Sequence, residues 1–228
     1  MMKKTIICLL VLAALGLVGA CFMSIYTDIA FDNDKSEREK VVIARLLQIR
    51  DAEEEFRKGH YGEFCGTLDS LIDFVKEGKA VVKIDEDVWT DDLAENFESK
   101  RDAIEAGKFR SDTVWQSAAE KLGISNPDSL KYVPVGKAGA VFQLRKHEAF
   151  NLKSNEFDKV CEVRANLDDY MDGLSEKKIR LLKQDLKKRG KNRADLFEDN
   201  ADDFEGEWYG LRIGDLKDPQ NKMSGNWE

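Results

Sequence analysis

The stretch EEEFRKGHYGEFCGTLDSL, residues 53–71, holds the side chains of this chain best suited to chemistry. It combines the consecutive glutamates Glu53 to Glu55 with His60, one of only two histidines, and Cys65, one of only four cysteines. Two chemistries fit those types. Glu55 and His60 could ligate a metal ion, or Cys65 could act as a nucleophile with His60 as its base. The five-residue spacing of Glu55 and His60 does not stack them on one helix face, and Gly59 intervenes. There is no H-E-x-x-H. A Cys–His pair needs geometry that only a fold supplies, and no helix amino terminus plainly follows Cys65 to lower its pKa. The reading favoured here is a solvated helix end, Glu53 to Glu55, followed by a polar turn at His60.

The remaining candidates thin out in the same way. His147, in RKHEAF just past an expected strand, reads as a surface-loop residue. Asp199, Asp202, Asp203 and Glu205 lack the spacing of a calcium loop and read as a solvated acidic loop. No Gly-rich phosphate loop, G-x-S-x-G or C-x-x-C occurs. Trp89, Trp115, Trp208 and Trp227 are scattered and form no base-stacking stripe. Trp227 is expected to dock on the body or a partner, because a wet indole is costly. The expectation is therefore no enzyme, no catalytic residue, no cofactor and no metal. Net charge is −8, which argues against a nucleic-acid partner, since phosphate binding needs a basic face.

The elements that position these residues begin with TIICLLVLAALGLVGACFMSIY, Thr5 to Tyr26, which no charge interrupts. A bilayer-spanning helix needs roughly 20 apolar residues and a signal-peptide core about 7–15. An uncleaved anchor, a lipoprotein signal with lipidation at Cys21 in VGAC, and an ordinary cleaved signal near Ala20 all remain open. The anchor is favoured because Phe22, Met23, Ile25 and Tyr26 carry the run past Cys21. Lys3 and Lys4 precede it and Asp28, Asp32 and Asp34 follow, which places the body outside the cytoplasm. The expected location is the cell envelope, anchored in the inner membrane through residues 5–26 with a periplasmic body. Residues 1–27 are then anchor or signal, and 28–228 an extracytoplasmic domain.

Residues 34–58 read as a stalk helix, with Ser36 and Glu39 as a capping box. Val42, Leu46, Ile49 and Phe56 form its apolar stripe, a surface for packing on a sheet or on a neighbouring copy. No strong breaker separates Tyr26 from Gly59, so anchor and stalk are able to form one helix. Gly59 and Gly62 stop it. Thr67 caps a short helix with Leu68, Leu71, Ile72 and Val75 inward. KAVVKI is a strand; residues 90–107 form a helix capped by Thr90 with Leu93, Phe97 and Ile104 inward; SDTVWQSAAEKLGI mixes strand and helix signals. LKYVPV and AVFQLR, joined by GKAG, read as a hairpin. DKVCEVRA is a strand, SEKKIRLLKQDLKKRG an amphipathic helix with Ile179, Leu182 and Leu186 inward, and YGLRIGDL a short strand or turn. The basic helix is followed at once by acidic DLFEDNADDFEGE, and this local charge segregation reads as a solvated helix and loop. The fold class is α+β: a long amino-terminal helix, a small antiparallel sheet and packed helices. Cys8 and Cys21 lie in the apolar run. Cys65 and Cys161 are an even pair in the exported body, either a disulfide or two unrelated buried thiols.

The pattern RDAEEEFRKGHYGEFCGTLDSLIDFV, entered from an apolar and then amphipathic helix, resembles type IV pilins and type II secretion pseudopilins. There a long helix reaches an aromatic residue, a Gly-x-aromatic turn and a segment leading to a small sheet; Phe56, Gly62, Phe64 and Leu71 stand at those points. Gly19-Ala20-Cys21-Phe22 lacks the glutamate of the prepilin cut. The segments IAFDNDKSEREKVV, LDSLIDFVKEGK, LKYVPV and GLRIGDL…SGNWE are also similar to a family of uncharacterised membrane-anchored proteins from Bacteroidota. That family has no assigned activity; the uninterrupted helix, the absence of catalytic motifs and the pilin-like pattern lead to the expectation of a structural or assembly subunit that associates with itself or with envelope proteins. The rival reading is an envelope ligand-binding module, lipidated at Cys21.

Overall fold

The computed structural model describes residues 2–97, 99–189, 193–194, 207–221 and 223–227. The acidic cluster at 199–205 lies outside them. The chain clusters into two compact units. The first comprises residues 1–44, 133–140 and 165–211; the second 45–132, 141–164 and 212–228.

Helix α1 spans Met2–Gly59 without a break, through Asp32, Asn33 and Asp34. The Ser36–Glu39 pattern is therefore not a helix start. Residues upstream are already helical, so the N–H of Glu39 has an intrahelical partner and no cap is needed. From Leu10 to Ile29 the large apolar side chains stand exposed, Leu17, Phe22 and Tyr26 among them at 68%, 72% and 70%. By length and composition the leading half is able to cross a membrane. In the trailing half Val42, Leu46, Ile49 and Ala52 are fully buried within the chain. That burial leaves none of the three aliphatic stripe residues free for a neighbouring copy. Phe56 is half-buried and stacks on His60, ring centroids 3.8 Å apart.

The helix ends as its glycines demand. Tyr61 (φ 53°) and Gly62 (φ 80°) turn left-handed. The Gly62 N–H returns to Arg57 O at 3.0 Å, satisfying a terminal carbonyl. Arg57 donates Nε to Gly62 O and lays its guanidinium over Phe64, 4.2 Å from the ring centroid.

In the second unit, α2 (Leu68–Glu77) is capped by the Thr67 hydroxyl, which accepts from Ser70 N, and buries Leu68, Leu71, Ile72 and Val75. Strand β1 (Lys79–Glu86) pairs antiparallel with β2 (Ser111–Ser117). The expected single helix over 90–107 is two, α3 (Asp91–Asn96) and α4 (Lys100–Glu105). Ser99 restarts the chain by accepting from Asp102 N. The restart changes the phase, so Ile104 is exposed and Ala103 and Phe109 are the buried residues. After β2 comes α5 (Ala118–Leu122), so both signals of that segment are used. LKYVPV begins in a 3-10 turn (Pro127–Lys131) and then makes a short part of the expected pairing, with Tyr132 bridging Val141 and Phe142 N donating to Lys131 O at 3.0 Å. The full hairpin lies further on, β3 (Gln143–Asn151) with β4 (Glu156–Asn166), turned at Asn155 with φ 58°. His147 consequently stands exposed in mid-strand, not in a loop.

In the first unit, α6 (Leu167–Tyr170) and α7 (Glu176–Lys188) follow β4. The facing residues of α7, Ile179, Leu182 and Leu186, are half-buried. A short pair, β5 (Arg193–Ala194) and β6 (Glu207–Trp208), precedes β7 (Gly210–Gly214), which passes into the second unit at Arg212 and belongs to a sheet ordered β3-β4-β7. The tail then pairs on β7 through Ile213 and Gly225, with Asn226 N donating to Arg212 O. Trp227 is thereby half-buried.

Two glycines separate backbone strain from crowding. Gly62 and Gly214 share φ near 80° and 75°, yet a Cβ on Gly62 meets nothing, whereas on Gly214 it would lie 1.9 Å from Cys161 O. Gly62→Ala should therefore cost about 1 kcal/mol, the left-handed penalty alone. Gly214→Ala should cost at least about 3 kcal/mol, since strand β7 must move away from β4. Urea unfolding of both variants checks the ranking.

Candidate functional site

The strongest concentration of unusual side chains lies in the second unit, where the end of α1 faces β4. Strand β4 is buried from Val160 to Ala165, so its alternating side chains enter two different interiors.

One face carries Glu162 and Arg164, 2% and 3% exposed. Arg212 Nη1 reaches Glu162 Oε2 at 3.3 Å and also Asp215 Oδ2 at 2.9 Å. Arg164 Nε donates to Gln143 Oε1 at 3.0 Å. Arg164 Nη1 lies 3.8 Å from Glu162 Oε1, so each buried charge has an opposite one beside it, as burial of ions requires.

The other face carries Cys161, close enough to Glu53 and Cys65 for their charges to act on it. Glu53 is fully buried. Its Oε2 accepts the backbone N–H of Cys65 at 2.9 Å, while Oε1 has no hydrogen-bond partner among the described residues. Burial pushes its carboxyl up to about 7 against the pull of the Cys65 N–H, Arg57 and Lys146. Glu53 and Glu55 thus overturn the expectation of a solvated EEE run; only Glu54 is exposed. Glu55 is buried, and that burial opposes its ionisation. Hydrogen bonds from Lys121 (2.7 Å) and Lys58 (2.9 Å) outweigh the burial and hold its pKa below the usual range. A sequence signal for Glu53 exists: it falls at i+4 from Ile49 and i+7 from Leu46, on the apolar stripe itself.

The structure does not assemble the two reactions considered from sequence. His60 is exposed and its Nδ1 sits 2.7 Å from Phe56 O. Cys65 Sγ donates to Thr67 O at 3.4 Å. Cys65 and Cys161 are buried free thiols. Burial raises both above the ordinary thiol range, Cys161 the further, with the negative charges of Glu53 and Glu162 adding to it. Such thiols are un-ionised at neutral pH and poor nucleophiles. Cys21 is exposed on α1. Among the described residues no three His, Cys, Asp or Glu side chains converge as a metal would require.

Beside the cluster lies a cavity of about 830 Å³, lined by Arg57, Phe64, Phe157, Cys161, Asp215 and Met223 among others. Its walls mix two aromatic rings with opposite charges, a lining suited to a small amphipathic ligand. Set against known proteins, the chain matches no family model, no curated protein and no solved structure.

The raised pKa of Glu53 has a definite sign. Between the ordinary value of 4.5 and about 7 the folded state holds a proton that the unfolded state releases. The associated stability is full below that window and is lost as pH rises through 7. Glu53→Gln keeps the volume and the acceptor for Cys65 N. The variant should lack this decline and exceed the wild type by about 3 kcal/mol at pH 8, with little difference at pH 4.5. Denaturant unfolding of both chains across that range checks it. Separately, Cys65 and Cys161 should alkylate far more slowly in the native chain than in urea, read by mass spectrometry.

Proposed function

We propose that this chain is a membrane-anchored envelope protein with an architectural role, a structural or assembly subunit of pseudopilin-like organisation. The observation that carries the reading is α1. One unbroken 58-residue helix is apolar and exposed from Leu10 to Ile29 and has one stripe, Val42 to Ala52, buried by its own chain in its trailing half. Exposed apolar surface of that extent is stable only in lipid or against a partner. Lysines before the run and aspartates after it set the body on the extracytoplasmic side. The buried thiols, the caged Glu55 and the stacked His60 support a non-catalytic role, since each is engaged in holding the turn or the core. The mechanism is mechanical: the helix fixes the position of the folded part at the membrane, and the turn at Tyr61 and Gly62 hands the chain to the sheet.

A second reading, an envelope ligand-binding module, rests on the cavity beside Cys161. In that reading Arg57 and Asp215 orient the ligand and Phe64 and Phe157 bury it.

The full chain should stay with membranes through an alkaline carbonate wash. In mild detergent it should run by light scattering as more than one copy, or with a co-purifying envelope protein. A chain that is strictly monomeric and partner-free, both in detergent and after cross-linking in intact membranes, sinks the subunit reading. Persistent lipid labelling of a Cys21→Ser variant would remove lipidation at Cys21.

A further inference from the structure

Helix α7 is a basic element in an acidic protein. Residues 176–189 carry Lys177, Lys178, Arg180, Lys183, Lys187, Lys188 and Arg189 against only Glu176 and Asp185. Its cations divide by face. Lys183 turns inward to Asp168 at 2.6 Å, and Lys178 turns toward α1. The outward face is composed of Lys177, Arg180, Leu181, Gln184, Lys187 and Lys188, spaced i, i+3, i+4, i+7, i+10 and i+11. All six are exposed, Leu181 at 55%. This face holds four cations and no carboxylate; Glu176 and Asp185 lie to either side of it.

The position of α7 gives that face a meaning. Lys178 in its first turn pairs with Asp28 Oδ1 at 2.9 Å, donates to Thr27 O and lies over the Phe31 ring. Thr27 and Asp28 immediately follow Tyr26, the last residue of the apolar run. Helix rise is 1.5 Å per residue, so this contact sits within about one turn of the end of the span. When α1 crosses a bilayer, the start of α7 is held at headgroup level. The sequence distance from the span, some 150 residues, removes these cations from the determinants of orientation, which act within about 15–20 residues of a span.

We propose that the outward face of α7 is a docking surface for anionic phospholipid headgroups of the membrane that anchors α1, with Leu181 dipping into the interface. The proposal rests on the anchor reading. Lys178 sets the depth, and Lys177, Arg180, Lys187 and Lys188 bind phosphate. Basic residues at a charged bilayer surface are each worth enough for four to matter, and salt screens them. The contact would hold the first unit against the membrane and so limit the tilt of the anchored helix.

The test uses the full chain in nanodiscs of zwitterionic lipid or of the same lipid with an anionic component, read by hydrogen–deuterium exchange. Amides of α7 should exchange at least about tenfold more slowly in the anionic discs, and high salt should abolish the difference. The quadruple variant Lys177→Gln, Arg180→Gln, Lys187→Gln, Lys188→Gln should exchange alike in both discs, with α2 and β4 protection unchanged as the control for folding. Equal α7 exchange of the wild type in both discs overturns the proposal and leaves the anchor intact. Equal slowing by inorganic phosphate in zwitterionic discs overturns the lipid assignment. A chain that enters neither disc overturns the anchor reading, and this proposal with it.

Discussion

A helix closes its own backbone hydrogen bonds, and that property lets one element serve two surroundings here. Helix α1 needs no sheet, loop or cap to continue past Tyr26. Its side chains alone change, from exposed apolar residues to a stripe that the folded chain covers at Val42, Leu46 and Ile49. The turn that ends this helix leads the chain into α2. The left-handed pair Tyr61 and Gly62 reverses the chain, Arg57 locks the reversal on Gly62 O and the Phe64 ring, and Cys65 arrives with its N–H aimed at Glu53.

That last contact explains why a carboxylate is tolerated in the core. Glu53 gives the Cys65 N–H a partner in a turn with no regular ladder, and orphaned buried donors are costly. The cost is a carboxyl that resists ionisation and two thiols whose ionisation its charge opposes. Across β4 the balance differs. Glu162 and Arg164 are buried as ions that face each other at 3.8 Å, with Arg212 on Glu162 as well and the Gln143 amide oxygen accepting from Arg164. One strand therefore separates a pH-sensitive interior from a compensated one, because successive side chains point to opposite faces.

Charge is likewise organised by surface rather than by sequence run. The basic stretch at 176–189 reads as a uniform amphipathic helix. Once folded, Lys178 pairs with Asp28, Lys183 with Asp168 and Arg189 with Asp185, and Lys177, Arg180, Lys187 and Lys188 lie on one exposed face.

Much of this architecture is written in short-range signals. The reach of the apolar run, the glycine stop at 59–62, the Thr67 cap, strand β4 and the bounds of α7 depend on residues within a turn or two of each other. Those signals act through local backbone and side-chain physics, so the sequence by itself determined them. Three features depended on partners distant in the chain. AVFQLR is divided between two partners: Val141 bridges Tyr132 as the expected hairpin required, while Gln143 to Arg145 join the long register with β4. The helix over 90–107 broke at Ser99, where a competing cap outweighed the apolar pattern. Glu53 lay visibly on the stripe of Leu46 and Ile49, but a glutamate on such a stripe is buried only if something distant hydrogen-bonds it. That donor, the N–H of Cys65, is supplied by the tertiary fold. Burial and protonation follow from three-dimensional neighbours, which is why the sequence showed where the carboxylate stood and only the tertiary structure decided what it became.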